Sequence, residues 1–270
     1  MIRICVAGAT GWVGTSLVPA LEAASDLELV GAVSRSAADK PLRDVVAGYT
    51  GTLQVAGTVE EALERAPSDV LIEYTTPSSA RAHAIAALSR GVHVVLGTSG
   101  LDEDDFAAID ACAREHDVGA LAAGNFAISA VLLQRFAEMA ARHLPTWEII
   151  DYSDGRKPDA PSGTARELAH RVGSVRPPEI EIPVGDTQGY PEARGLTMHG
   201  MQVHSVRVPG FVIGVEAIFG RDDERLTLRY DGGSGAEPYV AGTLLAARKV
   251  GGLVGLRRGL DQVLDEADGG

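Results

Sequence analysis

The sequence predicts an α/β fold, in which a doubly wound parallel sheet is accompanied by a smaller α+β domain with a mostly antiparallel sheet. Three observations predict it. A glycine-rich turn joins the first apolar run to a helical pattern, and short apolar runs then alternate with helical patterns as far as residue 126. Beyond that point strand patterns follow one another with few helices between them. We therefore expect a dinucleotide-binding domain of residues 1–126 and 237–270, and a second domain of residues 127–236.

The glycine turn lies at the N-terminus of the chain, between a predicted strand at Ile2 to Ala7 and a helical pattern. Gly8 permits a tight turn, Gly11 lets a pyrophosphate approach the backbone, and Gly14 lets the helix pack closely. The turn residues predicted to bind a dinucleotide are Gly8, Ala9, Thr10, Gly11, Trp12 and Val13.

The second predicted strand, Leu27 to Val33, ends in Ser34-Arg35-Ser36. A dinucleotide fold reads the cofactor ribose at this point, and an acidic residue there would bind the 2′-hydroxyl of NAD. An arginine between serines suits a 2′-phosphate instead. Ser34 and Arg35 therefore favour NADPH, with NADH as the alternative, although an arginine in a solvated loop would look the same.

Three further predicted strands, 69–74, 92–96 and 118–122, alternate with helices predicted at 58–65, 78–90 and 102–116. Small and polar residues follow each strand. Because ligands bind at the carboxyl ends of strands in doubly wound sheets, these loops extend the predicted cofactor site. The additional candidates are Thr75, Gly97, Thr98, Ser99, Ala123, Gly124, Asn125 and Phe126.

The second domain is predicted to begin with a long helix, 128–144, and a strand, 147–152. Further strands are predicted at 180–184, 202–208, 212–219 and 225–230, before a helix from Pro238 to about Lys249 returns to the first domain.

The most informative stretch is Lys157 to Ala165, KPDAPSGTA. Its prolines predict a stiff loop, and the helical pattern that follows places Ser162, Gly163 and Thr164 at a helix N-terminus. Free N–H groups there suit a carboxylate, and Lys157 can supply a positive charge or a proton. The alternative is an ordinary proline-rich helix start with a surface lysine.

The chain has 270 residues, is 45% hydrophobic and carries a net charge of −13. This charge argues against nucleic acid or an anionic membrane surface as a partner. No apolar stretch approaches 18 residues, and Met1 leads directly into a strand pattern, so neither a membrane span nor a signal segment is expected. Cys5 and Cys112 stand apart, which indicates neither a disulfide framework nor a metal site. We expect a reduced, cytoplasmic protein.

Together these motifs resemble the 4-hydroxy-tetrahydrodipicolinate reductase (dihydrodipicolinate reductase) family of bacterial lysine and diaminopimelate synthesis. The resemblance covers essentially the whole chain. Besides the glycine turn and the Lys157 to Ala165 string, the matching segments are Glu73-Tyr74-Thr75 for the family's Asp-Phe-Thr, Gly97-Thr98-Ser99-Gly100, Gly124-Asn125-Phe126 and His204-Ser205-Val206-Arg207.

The resemblance implies that a Rossmann-like first domain binds the nicotinamide cofactor. It also implies that the second domain binds a cyclic imino acid and forms a homotetramer through its sheet. The implied reaction is reduction of a C=N/C=C bond, with Ser162, Gly163 and Thr164 binding substrate.

One signature departs from the family. Where the family has Glu-x-His-His-x-x-Lys, this chain has Asp151-Tyr152-Ser153-Asp154-Gly155-Arg156-Lys157. Lys157, Ser153 and Asp154 are the candidate catalytic residues, although neither replacement can carry the positive charge of histidine.

Several alternatives stay open because both histidines are lost. The enzyme could be an imine reductase or amine dehydrogenase with another substrate, or the chain could be a sensor that binds NAD(P)H without turnover. His199 and His204 could also compensate for the lost histidines, although lone strand histidines are more often structural.

Overall fold

The computed structural model describes residues 1–264, which form two compact units. One unit joins Met1–Ile128 to the segment that begins at Ala236, and the other is Ser129–Gly235. Each unit contains one sheet. No helix within residues 1–264 is long and apolar enough to cross a membrane.

The described residues contain eleven strands and eight α-helices. The strands are β1 (Ile2–Ala7), β2 (Leu27–Val33), β3 (Val70–Glu73), β4 (His93–Leu96), β5 (Gly119–Ala122), β6 (Thr146–Ser153), β7 (Leu196–Met198), β8 (Met201–Arg207), β9 (Ile213–Arg221), β10 (Glu224–Gly232) and β11 (Gly255–Arg258). The helices are α1 (Gly14–Ala23), α2 (Leu42–Val45), α3 (Val59–Arg65), α4 (Pro77–Leu88), α5 (Glu103–Glu115), α6 (Ile128–Ala141), α7 (Gly163–Val175) and α8 (Glu237–Lys249).

The sheet of the first unit has six strands among the described residues, in the order β11-β5-β4-β3-β1-β2, and every pairing is parallel. The order reverses direction beside β1, as in a doubly wound sheet. Strands β3 and β5 are buried along their whole length, which explains why they lack polar residues except for Glu73 at the end of β3. The predicted Rossmann-like fold is confirmed.

Local signals fix where the helices of this unit begin. Thr58 caps α3 by accepting a hydrogen bond from the amide of Glu61, and Asp102 forms a reciprocal capping box with Asp105 at the start of α5. For α4 the helix was predicted at 78–90 with Ser78 as its cap, and that cap was wrong. Thr76 is the cap, because Pro77 is the first residue of the helix.

The second unit has a five-stranded sheet among the described residues, in the order β10-β9-β6-β8-β7, and β6–β8 is its parallel pair. Alternate residues of β6, β8 and β9 pack against α6 and α7. The core of this unit includes Trp147, Ile149, Val203, Val215, Phe219, Leu133, Ala137, Leu168 and Val172. The predicted mostly antiparallel sheet is confirmed.

One predicted strand is absent from the structure, and two strands were not predicted. The segment 180–184 is not a strand, because Pro183 within it lacks an amide donor and Ile180 and Ile182 are exposed. The short strands β7 and β11 were missed. Both lie at sheet edges and bury few side chains, so they carry little apolar pattern.

Candidate active site

Two clefts of about 950 and 530 Å³ share Gly11, Tyr74 and Thr75 in the first unit, and we call them together the cofactor cleft. Thirteen of the sixteen predicted cofactor residues line it, and they are Gly8, Thr10, Gly11, Trp12, Val13, Ser34, Arg35, Thr75, Gly97, Thr98, Ser99, Gly124 and Phe126. The other three, Ala9, Ala123 and Asn125, are not among the residues that line it. Ala9 and Ala123 are buried, and Asn125 accepts a hydrogen bond from the amide of Ala127.

The glycine turn at the base of the cleft has the backbone of a phosphate-binding loop. Gly8 has a φ of +88°, and a Cβ there would lie 2.1 Å from the carbonyl oxygen of Tyr74. A Cβ at Gly14 would lie 2.1 Å from the carbonyl oxygen of Gly8, so α1 packs directly onto the turn. No side chain caps α1, and within residues 1–264 the amides of Trp12, Val13 and Gly14 at its start make no hydrogen bond to the backbone, so they are available to an anion. These residues fit the pyrophosphate of a dinucleotide.

Polar groups line the cleft beyond the end of β2. The hydroxyl of Ser34 lies 2.6 Å from that of Thr10 and 3.3 Å from that of Ser36. The guanidinium of Arg35 is exposed and, within residues 1–264, makes no hydrogen bond or ion pair. Glu60, which the sequence reasoning missed, lines the same cleft. Arg35 and Glu60 therefore make opposite contributions to the electrostatic potential in this part of the cleft.

Tyr74 was missed as a cleft residue, and it explains one of the glycines. A Cβ at Gly97 would lie 2.1 Å from the Tyr74 ring, so Gly97 makes room for this side chain. The Tyr74 hydroxyl bonds to the hydroxyl of Thr243 over 2.8 Å, and burial raises its pKa. The ring also packs edge-on against Phe126. Tyr74 is thus a neutral, fixed wall of the cleft.

In the second unit, residues Lys157–Thr164 form what we call the substrate loop. Ser162 caps α7, because its hydroxyl accepts a hydrogen bond from the amide of Ala165 over 3.2 Å. The amides of Gly163 and Thr164 have no partner in the described part of the chain. The loop therefore presents two free N–H groups at the positive end of a 13-residue helix, as predicted.

A buried carboxylate holds this loop in place. Asp151, which is fully buried, accepts hydrogen bonds from the amide of Ser162 over 2.8 Å and from the guanidinium of Arg207 over 2.6 Å. Arg207 also donates to the carbonyl oxygen of Asp159 over 2.9 Å. This network links β6, β8 and both halves of the loop. The sequence reasoning noted Arg207 only as part of a resemblance.

The charged residues of the loop are paired with one another. The ammonium of Lys157 lies 2.8 Å from the carboxylate of Asp159, and this hydrogen bond lowers the pKa of Asp159. The guanidinium of Arg156 pairs with Asp154 over 2.8 Å and lowers the pKa of that carboxyl group. The positive charge of Arg156 thus compensates the negative charge of Asp154, which would otherwise repel an anionic substrate.

Ser153 lies differently from the other candidates, because it is fully buried and its hydroxyl has no hydrogen-bond partner within residues 1–264. His204 pairs with Glu148 over 2.8 Å, and the ring of His199 packs edge-on against that of His170. Neither histidine contacts the substrate loop in these interactions. The catalytic roles of Ser153, Asp154 and Lys157 stay predictions.

A second cation, missed from the sequence, lies beside the free amides. Arg166 donates to the carbonyl oxygen of Pro161 over 2.7 Å. A Cβ at Gly163 would lie 3.9 Å from a terminal nitrogen of this guanidinium. The helix start thus combines two N–H donors with a nearby positive charge, which suits a carboxylate.

Comparison with known proteins decides the family. The N-terminal model of dihydrodipicolinate reductase matches residues 2–126, and the C-terminal model matches residues 129–264. The chain belongs to the dihydrodipicolinate reductase family. It is 37% identical over 265 residues to the 4-hydroxy-tetrahydrodipicolinate reductase of Desulfitobacterium hafniense, covering 98% of this chain and 99% of the relative. It is 34% identical over 264 residues to that of Bacillus velezensis, covering 98% of each.

Solved structures agree with this assignment. Dipicolinate-bound dihydrodipicolinate reductase from Paenisporosarcina sp. TG-14 superimposes with a TM-score of 0.87 at 29% identity, covering 98% of this chain and 100% of that one. An amine dehydrogenase from Mycobacterium smegmatis gives a TM-score of 0.65 at 15% identity, covering 95% and 94%, and shares the fold alone. As a family member, the chain is an oxidoreductase that uses a pyridine nucleotide.

Proposed function

We propose that this protein reduces 4-hydroxy-tetrahydrodipicolinate to tetrahydrodipicolinate in lysine and diaminopimelate synthesis. The observation that carries the proposal is the substrate loop. It retains Lys157 and presents the free amides of Gly163 and Thr164, in a chain that matches the named reductases over 98% of its length. A dinucleotide fits the cofactor cleft, and when bound it supplies a hydride to the electrophilic carbon of the substrate.

The residues of the loop bind and orient the substrate. The amides of Gly163 and Thr164 hold a substrate carboxylate, and Arg166 adds a positive charge beside them. Lys157 donates a proton to the reduced substrate or stabilises its developing negative charge. A fixed helix N-terminus needs little reorganisation to bind an anion, which suits a protein of net charge −13.

For the cofactor we propose a preference for NADPH, with Arg35 as the residue that reads the 2′-phosphate. The exposed and unpaired guanidinium of Arg35 among the lining residues supports this preference. Replacing Arg35 with Ala should weaken NADPH binding about tenfold or more, the effect of losing a hydrogen bond to a charged group. NADH binding should change little. Equal weakening of both cofactors would contradict the preference, and titration of each cofactor by fluorescence measures it.

A second candidate is reduction of a different imine. Ser153 is buried and the carboxylate of Asp154 is engaged by Arg156, so neither side chain offers the acidic proton that a histidine would. A substrate that needs no cationic donor at this position would suit the loop better. The NAD(P)H sensor without turnover is less favoured, because a sensor has no need of two free substrate-binding amides.

The deciding experiment is NADPH oxidation by the purified protein with freshly generated substrate, beside a family member that keeps both histidines. Comparable turnover supports the proposal. Turnover lower by several orders of magnitude, with tight NADPH binding retained, favours the other imine. Absence of NADPH oxidation across a panel of cyclic imino acids favours the sensor. Dipicolinate, which the Paenisporosarcina enzyme binds, should act as a competitive inhibitor.

We also propose that the chain assembles into a homotetramer through the sheet of the second unit. Ile150, Val206 and Ile218 point away from the face that α6 and α7 cover, and they stay partly exposed. On this face they lie beside Glu148, His204 and Glu216, and such a mixture of apolar and charged side chains suits a second copy of the chain. Light scattering on the wild type and on Ile218→Lys tests the assembly. A monomeric wild type, or an unchanged variant, would contradict it.

A further inference from the structure

Glu73, at the end of β3, is a fully buried carboxylate that the proposed reaction does not use. In the sheet it pairs with Ala7 of β1 and Leu96 of β4. The residues after these partners are Gly8 and Gly97, which open two loops of the cofactor cleft. Glu73 therefore lies at the centre of the loops that line the cleft.

Its carboxylate lies within hydrogen-bond distance of four groups. Oε1 accepts from the amide of Thr75 over 3.1 Å and from the hydroxyl of Thr75, and it lies 3.3 Å from Nδ1 of His83. Oε2 accepts from the hydroxyl of Thr98 over 2.5 Å, so both oxygens are hydrogen-bonded. A buried charge is tolerated only when it is hydrogen-bonded in this way.

These hydrogen-bonding partners come from three separate elements around the cleft. Thr75 follows β3, Thr98 follows β4, and His83 lies on α4. All three line the cleft, and the amide of Thr75 also donates to the hydroxyl of Thr98 over 2.9 Å. The hydroxyls of both threonines donate to Glu73, so a ligand in the cleft can contact only the backbone and methyl groups of these residues.

We propose that Glu73 is a positioning residue for the cofactor. Through these hydrogen bonds, Glu73 fixes the positions of the loops that begin at Thr75 and Gly97 and of the His83 side chain. The inference rests on the proposed use of a pyridine nucleotide. Because Glu73 is inaccessible, it acts on the cofactor only through the groups that it holds. Its replacement therefore weakens cofactor binding and leaves the chemical step intact.

The test is Glu73→Gln in the full chain, with NADPH affinity measured by fluorescence titration. An amide keeps the shape but has one acceptor oxygen and an NH₂ group that only donates, so it cannot accept hydrogen bonds at both positions as the carboxylate does. The dissociation constant and KM for NADPH should rise about 10- to 100-fold, the effect of hydrogen bonds to a charged group. The kcat at saturating NADPH and the KM for the imino acid should stay within about threefold, as expected when only ground-state cofactor binding is lost.

Two further variants separate positioning from general loosening. Glu73→Asp restores the charge with the residue that the resemblance places here, and should recover most of the NADPH affinity. Asp69→Asn removes a carboxylate just before the other end of the same strand, where it pairs with Arg3, and should leave NADPH affinity unchanged. If Glu73→Gln does not fold, Thr98→Val removes one donor and should raise the dissociation constant about threefold or more.

The inference is overturned if folded Glu73→Gln binds NADPH within twofold of wild type. It is also overturned if Asp69→Asn weakens binding equally, if kcat falls while affinity is kept, or if Thr98→Val binds as wild type does. A wild type that binds neither NADPH nor NADH would instead remove the proposed function, and this inference with it. Normal wild-type binding with an unaffected Glu73→Gln removes the inference alone.

Discussion

The loops of the cofactor cleft take their positions from the strands that directly precede them, whereas the substrate loop is held by side chains from distant strands. Gly8, Thr75 and Gly97 follow β1, β3 and β4 within two residues. The substrate loop depends on Asp151, whose partner Arg207 lies 56 residues further along the chain. Parallel strand ends converge by topology alone, so the first site needs few specific contacts.

This difference predicts how each site responds to substitution. In the cofactor cleft, single changes should act locally and affect one ligand. In the substrate loop, loss of one long-range contact should displace the lysine and the free amides together, since Arg207 holds Asp159 and Asp151 holds Ser162.

The largest effect is expected for Asp151→Asn. It removes one partner of a buried ion pair in which the side chain of Asp151 is fully buried and that of Arg207 is 16% exposed. Such a loss costs about 3–5 kcal/mol, because the other charge stays buried without its partner. Urea unfolding should show this decrease in the free energy of unfolding.

Asp154→Asn is the matched control for Asp151→Asn. It removes a carboxylate from the same segment whose arginine partner is exposed to solvent, so its effect on unfolding should be much smaller. If the two variants lose equal stability, the substrate loop does not depend on the buried pair.

The next largest effect is expected for Lys157→Ala. Removal of a positioned proton donor lowers turnover about 100- to 10,000-fold. The dissociation constant for NADPH should stay the same, because the residues predicted to bind the cofactor all lie in the first unit. Steady-state kinetics and cofactor titration measure the two effects. Normal turnover would remove Lys157 from the mechanism.

A smaller effect is expected for Arg166→Ala. The loss of a positive charge beside the amides of Gly163 and Thr164 should raise the KM for the imino acid about three- to tenfold, with kcat nearly unchanged. Arg156→Ala is the control, because its guanidinium bonds to Asp154 and is largely exposed. Equal changes in KM for both variants would mean that only the net charge of the loop matters.

The sequence predicted the cofactor cleft better than the substrate loop for a physical reason. Strand ends can be read from local apolar runs, and the positions of Gly8, Thr75 and Thr98 follow from them. The prediction that Ser162, Gly163 and Thr164 lie at a helix N-terminus also rested on local signals, namely the prolines and the helical pattern. The partnership of Asp151 with Arg207 depends on register within a sheet, which no local pattern encodes.

The same limit applies to single residues. The sequence predicted Gly97 as a cofactor residue, and it lines the cleft, but only the structure shows that it accommodates the Tyr74 ring. Likewise the apolar residues of 180–184 predicted a strand. A proline changes the apolar pattern little, but it removes a backbone donor that a sheet needs.

The smallest effect is expected for Asp69→Asn in the first unit, which sharpens the comparison because this pair is the exposed counterpart of Asp151 and Arg207. The guanidinium of Arg3 donates to Asp69 over 2.6 Å, and this hydrogen bond lowers the pKa of the carboxyl group. A carboxyl group whose pKa is lower in the folded state stabilises the protein above its unfolded pKa of about 3.9, and this stabilisation is lost as the pH falls through the folded pKa. The wild type should therefore lose stability below about pH 4 more steeply than Asp69→Asn, which has no such group to titrate.

The Asp69 side chain is 38% exposed, so solvent screening limits the difference at neutral pH to less than about 1 kcal/mol. Urea unfolding at pH 7 and at pH 3 measures it, and parallel acid limbs for the two proteins would show that this ion pair adds nothing to the fold.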